Sequence, residues 1–139
     1  MAVLGVPRQV LGQKNGCVDA ESTAEQAECA MNELGVAEAD MTLAFDRALE
    51  SYVSTPAKKK ENQILPKFDR IGQIKWDKRM RRDLRISQKA WLGYRESACG
   101  AVQEMYDTGT IAKVAVPLCM VEITMARTKF LRGYFGDEE

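Results

Sequence analysis

One face of a predicted helix between Leu84 and Met105 constrains the fold of this chain most. Its residues follow one another at alternating steps of four and three, which is the spacing of one face of an α-helix. They are, in order, Leu84, Gln88, Trp91, Arg95, Ala98, Val102 and Met105. Gln88 and Arg95 are polar, and polar groups on a buried face cost free energy unless they find partners. The chain must therefore fold so that neighbouring helices supply those partners.

Two further helices are predicted by the same kind of spacing. The first runs from about residue 23 to 53, where Leu34, Glu38, Met41 and Phe45 belong to one unbroken face. The central helix runs from about 66 to 107, and the last from about Ile111, or from Pro117, to Tyr134. Short connections between long helices favour an antiparallel bundle. The sequence thus predicts an all-α, three-helix fold with an irregular leader (1–21), a single helical domain (22–135) and a frayed tail (136–139).

Four cysteines, Cys17, Cys29, Cys99 and Cys119, occur at wide spacing and form no C-x-x-C pair. An even number at such spacing favours two disulfides in an oxidising compartment, with four reduced cysteines in a cytosolic protein as the alternative. Cys99 and Cys119 are each ten residues from Gly109, so antiparallel helices place them at the same height. Cys29 lies beside the apolar face, where the leader can bring Cys17 back. Four cysteines allow three connectivities, and of these we favour Cys17–Cys29 with Cys99–Cys119.

Composition excludes several kinds of catalytic chemistry. Histidine is absent, so the chain has no Ser-His or Cys-His pair and no histidine-containing zinc site. We predict no catalytic residue, metal or cofactor, and hence a protein that is not an enzyme. No apolar run approaches the about 20 residues that a membrane helix needs, so the chain is not expected to span a membrane. The opening residues are too short for a signal peptide, which an exported protein would have lost.

Charge is divided into blocks, although the net charge is zero. Residues 1–54 carry a net charge of −6, residues 55–95 carry +9, and residues 96–139 carry −3. We expect the acidic and basic helices to lie side by side and neutralise each other; the alternative is that the blocks are interaction surfaces. Nucleic acid is not an expected partner, because the whole chain is neutral and contains no known DNA-reading motif.

The central helix also carries a family signature. Its pattern Gln88-x-x-Trp91-x-x-Tyr94-Arg95-x-x-x-Cys99 resembles that of the LprI-type lysozyme inhibitors, small exported helical proteins of bacteria. Two weaker patterns extend the resemblance along the neighbouring helices. They consist of Cys29, Ala37, Glu38, Met41, Thr42 and Phe45 in the first helix and of Cys119, Thr124, Arg127 and Leu131 in the last. The resemblance implies an inhibitor that binds a lysozyme and so protects peptidoglycan.

Folding the three helices together predicts a buried polar cluster. Glu38 and Arg127 fall at the level of Trp91 and Arg95 when the outer helices fold back on the central one. We therefore expect Glu38, Gln88, Arg95 and Arg127 to interact, with a bidentate arginine–carboxylate pair. Such a cluster would fix helix register, and removal of a buried Glu38 carboxylate would cost several kcal/mol (about 3–5).

The expected function is binding and blocking of a lysozyme or another peptidoglycan hydrolase in the periplasm or outside the cell. The acidic first helix would steer association with a basic lysozyme. A protrusion, either the linker at 55–66 or the turn at 108–110, would enter the lysozyme cleft. Two alternatives are an immunity or accessory protein that neutralises a secreted cell-wall toxin, and a structural envelope protein. An apolar strip on the last helix would also allow a homodimer.

Overall fold

The computed structural model of the protein contains three α-helices. It describes residues 17, 21–53, 67–107 and 109–136, except the side chains of residues 67–69. Helix α1 spans Thr23–Ser51, α2 spans Lys67–Tyr106 and α3 spans Ala112–Phe135. No strand occurs within these described residues. The predicted all-α bundle with two disulfides is confirmed.

Local side chains determine where α1 begins. The Ser22 hydroxyl Oγ accepts a hydrogen bond from the backbone N–H of Glu25 at 3.1 Å, and Glu25 Oε2 accepts one from the N–H of Glu21 at 2.9 Å. These two bonds satisfy backbone donors that have no partner inside the helix. A Ser-x-x-Glu spacing is typical of a helix start, and α1 begins directly after Ser22.

The turn between α2 and α3 ends one helix and starts the next. Asp107 follows α2 with a φ of 52°, a left-handed conformation that is common just after a helix and that aspartate tolerates. Gln103 Nε2 donates a hydrogen bond to the Asp107 carbonyl at 2.7 Å. Helix α3 then begins at Ala112, and Pro117 lies inside it. The alternative start of the last helix at Pro117 is therefore wrong.

Helix α3 makes most of the contacts between helices, packing closely on α1 and less extensively on α2. The face of α1 turned inward is rich in alanine, whose small side chain lets two helix axes approach closely. These buried alanines are Ala30, Ala37, Ala44 and Ala48. Contacts between α1 and α2 are few. The expectation that the acidic and basic helices lie side by side is therefore corrected, because α3 is the helix that both contact.

The core consists of two layers along the α1–α3 contact. In the first, Leu34 and Ala37 of α1 pack with Val121 of α3, and Met120 and Met125 border them. The second layer contains Met41, Ala44 and Leu131, with Phe45, Trp91 and Phe135 packed around it. Trp91 thus brings α2 onto the core that α1 and α3 build.

Both disulfides form as expected. Cys17 is bonded to Cys29 near the start of α1, and Cys99 of α2 is bonded to Cys119 of α3. Cys99 is completely buried, so the second disulfide lies in the contact between α2 and α3. It fixes the relative height of these two helices, as their equal distances from Gly109 predicted.

Candidate functional site

Arg95 joins all three helices through a polar cluster, which we define as Glu38, Ser87, Gln88, Arg95, Thr124 and Arg127. From α2, Arg95 Nη1 donates to Glu38 Oε1 of α1 at 3.1 Å and to Thr124 Oγ1 of α3 at 3.0 Å. The Arg95 side chain is 11% exposed, whereas that of Glu38 is 44% exposed. The Arg95 Nε atom is buried without a hydrogen-bond partner among the described residues. Arg95 is therefore a mostly buried cation whose hydrogen bonds to α1 and α3 hold the three helices in register.

Arg127 connects α3 to α2 at the other side of the cluster. Its Nε donates to Gln88 Oε1 at 3.0 Å, and its Nη2 donates to Ser87 Oγ at 2.9 Å. The Gln88 amide in turn donates to the Met41 sulfur at 2.9 Å, so Gln88 contacts both other helices. Burial lowers the pKa of the Arg127 guanidinium, yet arginine stays cationic at neutral pH. Neutral hydrogen-bond acceptors therefore replace the water that this charge loses.

Trp91 lies against both arginines of the cluster. The Arg95 guanidinium is 5.2 Å from the centre of its ring and that of Arg127 is 5.9 Å away. A cation over an aromatic face is attracted by the negative charge of that face. The guanidinium of Arg127 is also 5.4 Å from the ring of Phe130. Aromatic faces thus contribute to solvating two charges that lie largely outside water.

The geometry differs from the prediction in two respects. The Glu38–Arg95 pair joins one oxygen to one nitrogen, so the expected bidentate pair is wrong, and Arg95 Nη1 is shared with Thr124. The expectation that Glu38 is buried is also wrong, because its side chain is 44% exposed. Tyr94, which belongs to the family signature, is 61% exposed. It lies on the outer side of α2, away from the residues that the structure brings together.

We expect Glu38→Ala to lower the free energy of unfolding by about 1–2 kcal/mol, less than a fully buried pair would cost. The Glu38 side chain is nearly half exposed, and Arg95 also donates to Thr124, a bond that the change should leave in place. Urea denaturation followed by far-ultraviolet circular dichroism measures the loss. Glu28→Ala, on the exposed side of the same helix, is the control and should change stability by less than about 0.5 kcal/mol. Equal effects of the two changes would contradict this role for Glu38.

Sequence reasoning missed several polar residues that the structure buries or pairs, among them Ser87, Thr124 and Glu33. Ser87 and Thr124 are partners of the two arginines, and neither was expected to contact them. Glu33 is only 2% exposed, although it was not a candidate site residue. Its signal was position, because it lies three residues after Ala30 and four before Ala37 on the face of α1 that packs inward.

The outer faces of α1 and α2 carry opposite charge. Glu25, Glu28 and Asp46 are exposed on α1, and Lys78 and Lys89 are among the exposed basic residues of α2. Glu38 of α1 and Arg95 of α2 form an ion pair between these two helices, which otherwise make few contacts with each other. The described helices also include none that is long and apolar enough to cross a membrane. The acidic and basic faces therefore remain separate surfaces of the bundle.

The fold and the cluster define a class, that of small helical domains stabilised by disulfides. Within the part of the chain described, no three histidine, cysteine, aspartate or glutamate side chains are arranged to hold a metal ion. The chain belongs to the LprI family: the family described as "Lysozyme inhibitor LprI" matches residues 15–131. It is a family of inhibitors and not of enzymes. No curated protein and no solved structure matches the chain.

Proposed function

We propose that the protein is an exported bacterial inhibitor that binds a lysozyme, or a related peptidoglycan hydrolase, and blocks its activity. The observation that carries this proposal is the family match over residues 15–131, which includes all four cysteines. Disulfides form and persist in oxidising compartments such as the periplasm and the cell exterior. The family match and the two disulfides both favour a location where the protein meets cell-wall hydrolases.

The acidic outer face of α1, defined by Glu25, Glu28 and Asp46, is the surface that we propose for the first encounter. These side chains are exposed, and the helix carries seven acidic residues against one basic residue. A surface of one sign raises the rate at which a partner of the opposite sign associates. A basic lysozyme would therefore approach the inhibitor on this side.

A polar or basic protrusion of the inhibitor would enter the lysozyme cleft. The cleft holds two carboxyl groups, one on either side of the bond to be cleaved, and such a protrusion fits between them. Two protrusions are predicted, the linker 55–66 and the turn 108–110. The whole linker and Thr108 of the turn lie outside the described residues. Gly109 and Thr110 are exposed in the α2–α3 turn. We propose this turn as the part that reaches the cleft.

A turbidity assay tests the proposed function directly. Lysis of peptidoglycan-containing cells by lysozymes of several types is followed with and without the oxidised protein. We expect inhibition of at least one type at a near-equimolar ratio. An absence of inhibition at large molar excess, across all types, would contradict the proposal. Tight binding to a single secreted cell-wall toxin together with indifference to lysozymes would instead support an immunity protein.

Removal of two charges from the acidic face should slow association with a basic lysozyme. We expect Glu28→Gln with Asp46→Asn to lower the association rate constant by about threefold to tenfold at low salt, with little effect at high salt. Stopped-flow fluorescence at a series of ionic strengths measures the rate. The control replaces two exposed acidic residues of α2, Glu96→Gln with Glu104→Gln. A loss of equal size in the control would show that only net charge matters and not this face.

A further inference from the structure

A groove of about 620 Å³ runs along the contact between α1 and α3. All the residues that line it belong to these two helices, and none comes from α2. Its size falls within the about 300–1,000 Å³ of pockets that bind small groups. Val36, Leu43 and Met125 give it apolar walls, and the first two are about half exposed. The groove is thus an open, partly apolar surface outside the polar cluster.

Glu33 is the unusual member of the groove. The residue belongs to the lining, yet it is only 2% exposed. The Oε2 atom is buried and has no hydrogen-bond partner among the described residues. Burial raises the pKa of the Glu33 carboxyl above its ordinary value of 4.5. A buried carboxylate without a partner is costly, so a position that keeps one points to a partner outside the bundle.

Three other charged groups face the groove. Arg132 Nη1 and Nη2 donate to Asp40 Oδ2 and Oδ1 at 3.3 and 2.5 Å, so these two charges form a bidentate pair and neutralise each other. Lys129 lines the groove from α3 and is exposed to water. The remaining acidic group is Glu33, at the most buried position of the lining. The groove therefore contains one carboxyl group without a hydrogen-bond partner among the described residues, between apolar walls.

We propose that this groove receives a cationic side chain of the bound hydrolase, an arginine or a lysine, whose charge pairs with Glu33. The inference rests on the proposed function and names a contact within it. Both side chains have a long apolar stem beneath a charged head, and the stem would pack against Val36, Leu43 and Met125. An arginine fits better, because its guanidinium is weakly hydrated and binds a carboxylate through two parallel hydrogen bonds.

The first test separates binding from folding. We expect Glu33→Gln to weaken binding to the inhibited lysozyme at least tenfold at pH 7, measured by isothermal titration calorimetry. Glu104→Gln, which removes one exposed carboxylate of α2, is the control and should change affinity by less than twofold. Wild-type affinity in Glu33→Gln would overturn the inference and leave the proposed function intact.

The same variant should not be less stable than the wild type. A carboxyl whose pKa is raised by folding makes the folded state less stable as pH increases from the unfolded pKa through the folded one. Glu33→Gln removes that loss, so its urea midpoint should exceed that of the wild type at pH 7 and equal it at pH 4. A midpoint at pH 7 well below that of the wild type would overturn the inference, because Glu33 would then have a stabilising partner inside the bundle.

A second test does not require any lysozyme. N-acetyl-arginine amide carries one guanidinium, and its titration into the isotope-labelled protein can be followed on the methyl signals of Val36 and Leu43. We expect saturable shifts in the wild type that are absent in Glu33→Gln. No shift in the wild type at millimolar concentrations would overturn the cation site. Saturable shifts in a protein that inhibits no hydrolase would support the site and overturn the proposed function alone.

Discussion

Trp91→Ala is expected to lower the free energy of unfolding by about 3 kcal/mol, the lower end of the range for removing a large aromatic side chain from a core. The indole packs on the layer of Met41, Ala44 and Leu131, so its removal opens a cavity where α2 contacts the other helices. It also removes the ring from the guanidiniums of Arg95 and Arg127. The partial exposure of Trp91 keeps the loss below that of a completely buried tryptophan.

The second tryptophan of the chain supplies a matched control. Trp76 is 43% exposed and contacts the edge of Tyr52, with ring centres 5.3 Å apart. Trp76→Ala should cost about 1 kcal/mol, roughly the value of one such aromatic pair. Urea denaturation of both variants gives the comparison. Equal losses, or a loss below about 1 kcal/mol for Trp91→Ala, would contradict the central place of Trp91 in the packing.

Trp91→Phe tests the ring contacts separately from the cavity. Phenylalanine retains an aromatic face for the two guanidiniums but fills less volume than tryptophan. We expect it to recover more than half of the stability that Trp91→Ala loses. A contact between a cation and an aromatic ring contributes about 0.5 kcal/mol when it is exposed and about 2 kcal/mol when it is buried. Trp91→Leu, which fills volume without an aromatic face, should recover less. A leucine variant as stable as the phenylalanine variant would show that volume alone matters.

The helices could be predicted from the sequence because their signals are local. The face from Leu84 onward repeats at steps of three and four, and the helix that carries it spans Lys67–Tyr106. The pairing of Cys99 with Cys119 followed from equal distances to one turn. Periodicity identifies which side of a helix packs inward, and turns identify which residues reach the same height. Neither requires knowledge of the neighbouring side chains.

The arrangement of the helices around one another could not be read in the same way. Which helix is central depends on how closely each pair of axes approaches, and this is decided by small side chains such as Ala37 and Ala44 of α1. The exposure of Glu38 depends on how α1 is rotated about its own axis, since a small rotation moves a side chain from the core to the solvent-exposed edge of the contact. Consequently the pairing of Glu38 with Arg95 was predicted. That the pair has one hydrogen bond instead of two, and that Arg95 also donates to Thr124, was not.

Removal of the Cys99–Cys119 disulfide should have an effect as large as that of Trp91→Ala. The bond closes a segment with a sequence separation of 20, and the chain-entropy relation assigns such a loop about 3 kcal/mol of stabilisation. Cys99 is completely buried, so replacing both cysteines with alanine also removes two sulfur atoms from the α2–α3 contact. We expect a total loss of about 3–4 kcal/mol, measured by urea denaturation without reductant.

The second disulfide isolates the packing contribution from the loop entropy. Cys17–Cys29 has a sequence separation of 12, for which the same relation gives a value only about 0.5 kcal/mol smaller. Both of its cysteines are partly exposed, so its removal leaves no buried cavity. If removing Cys99–Cys119 lowers stability by clearly more than removing Cys17–Cys29 plus this difference, the excess measures the buried contact between α2 and α3. A difference of only about 0.5 kcal/mol would show that the bond acts on the unfolded chain alone, and a loss below about 1 kcal/mol for the Cys99–Cys119 pair would show that the polar cluster and Trp91 hold these helices without it.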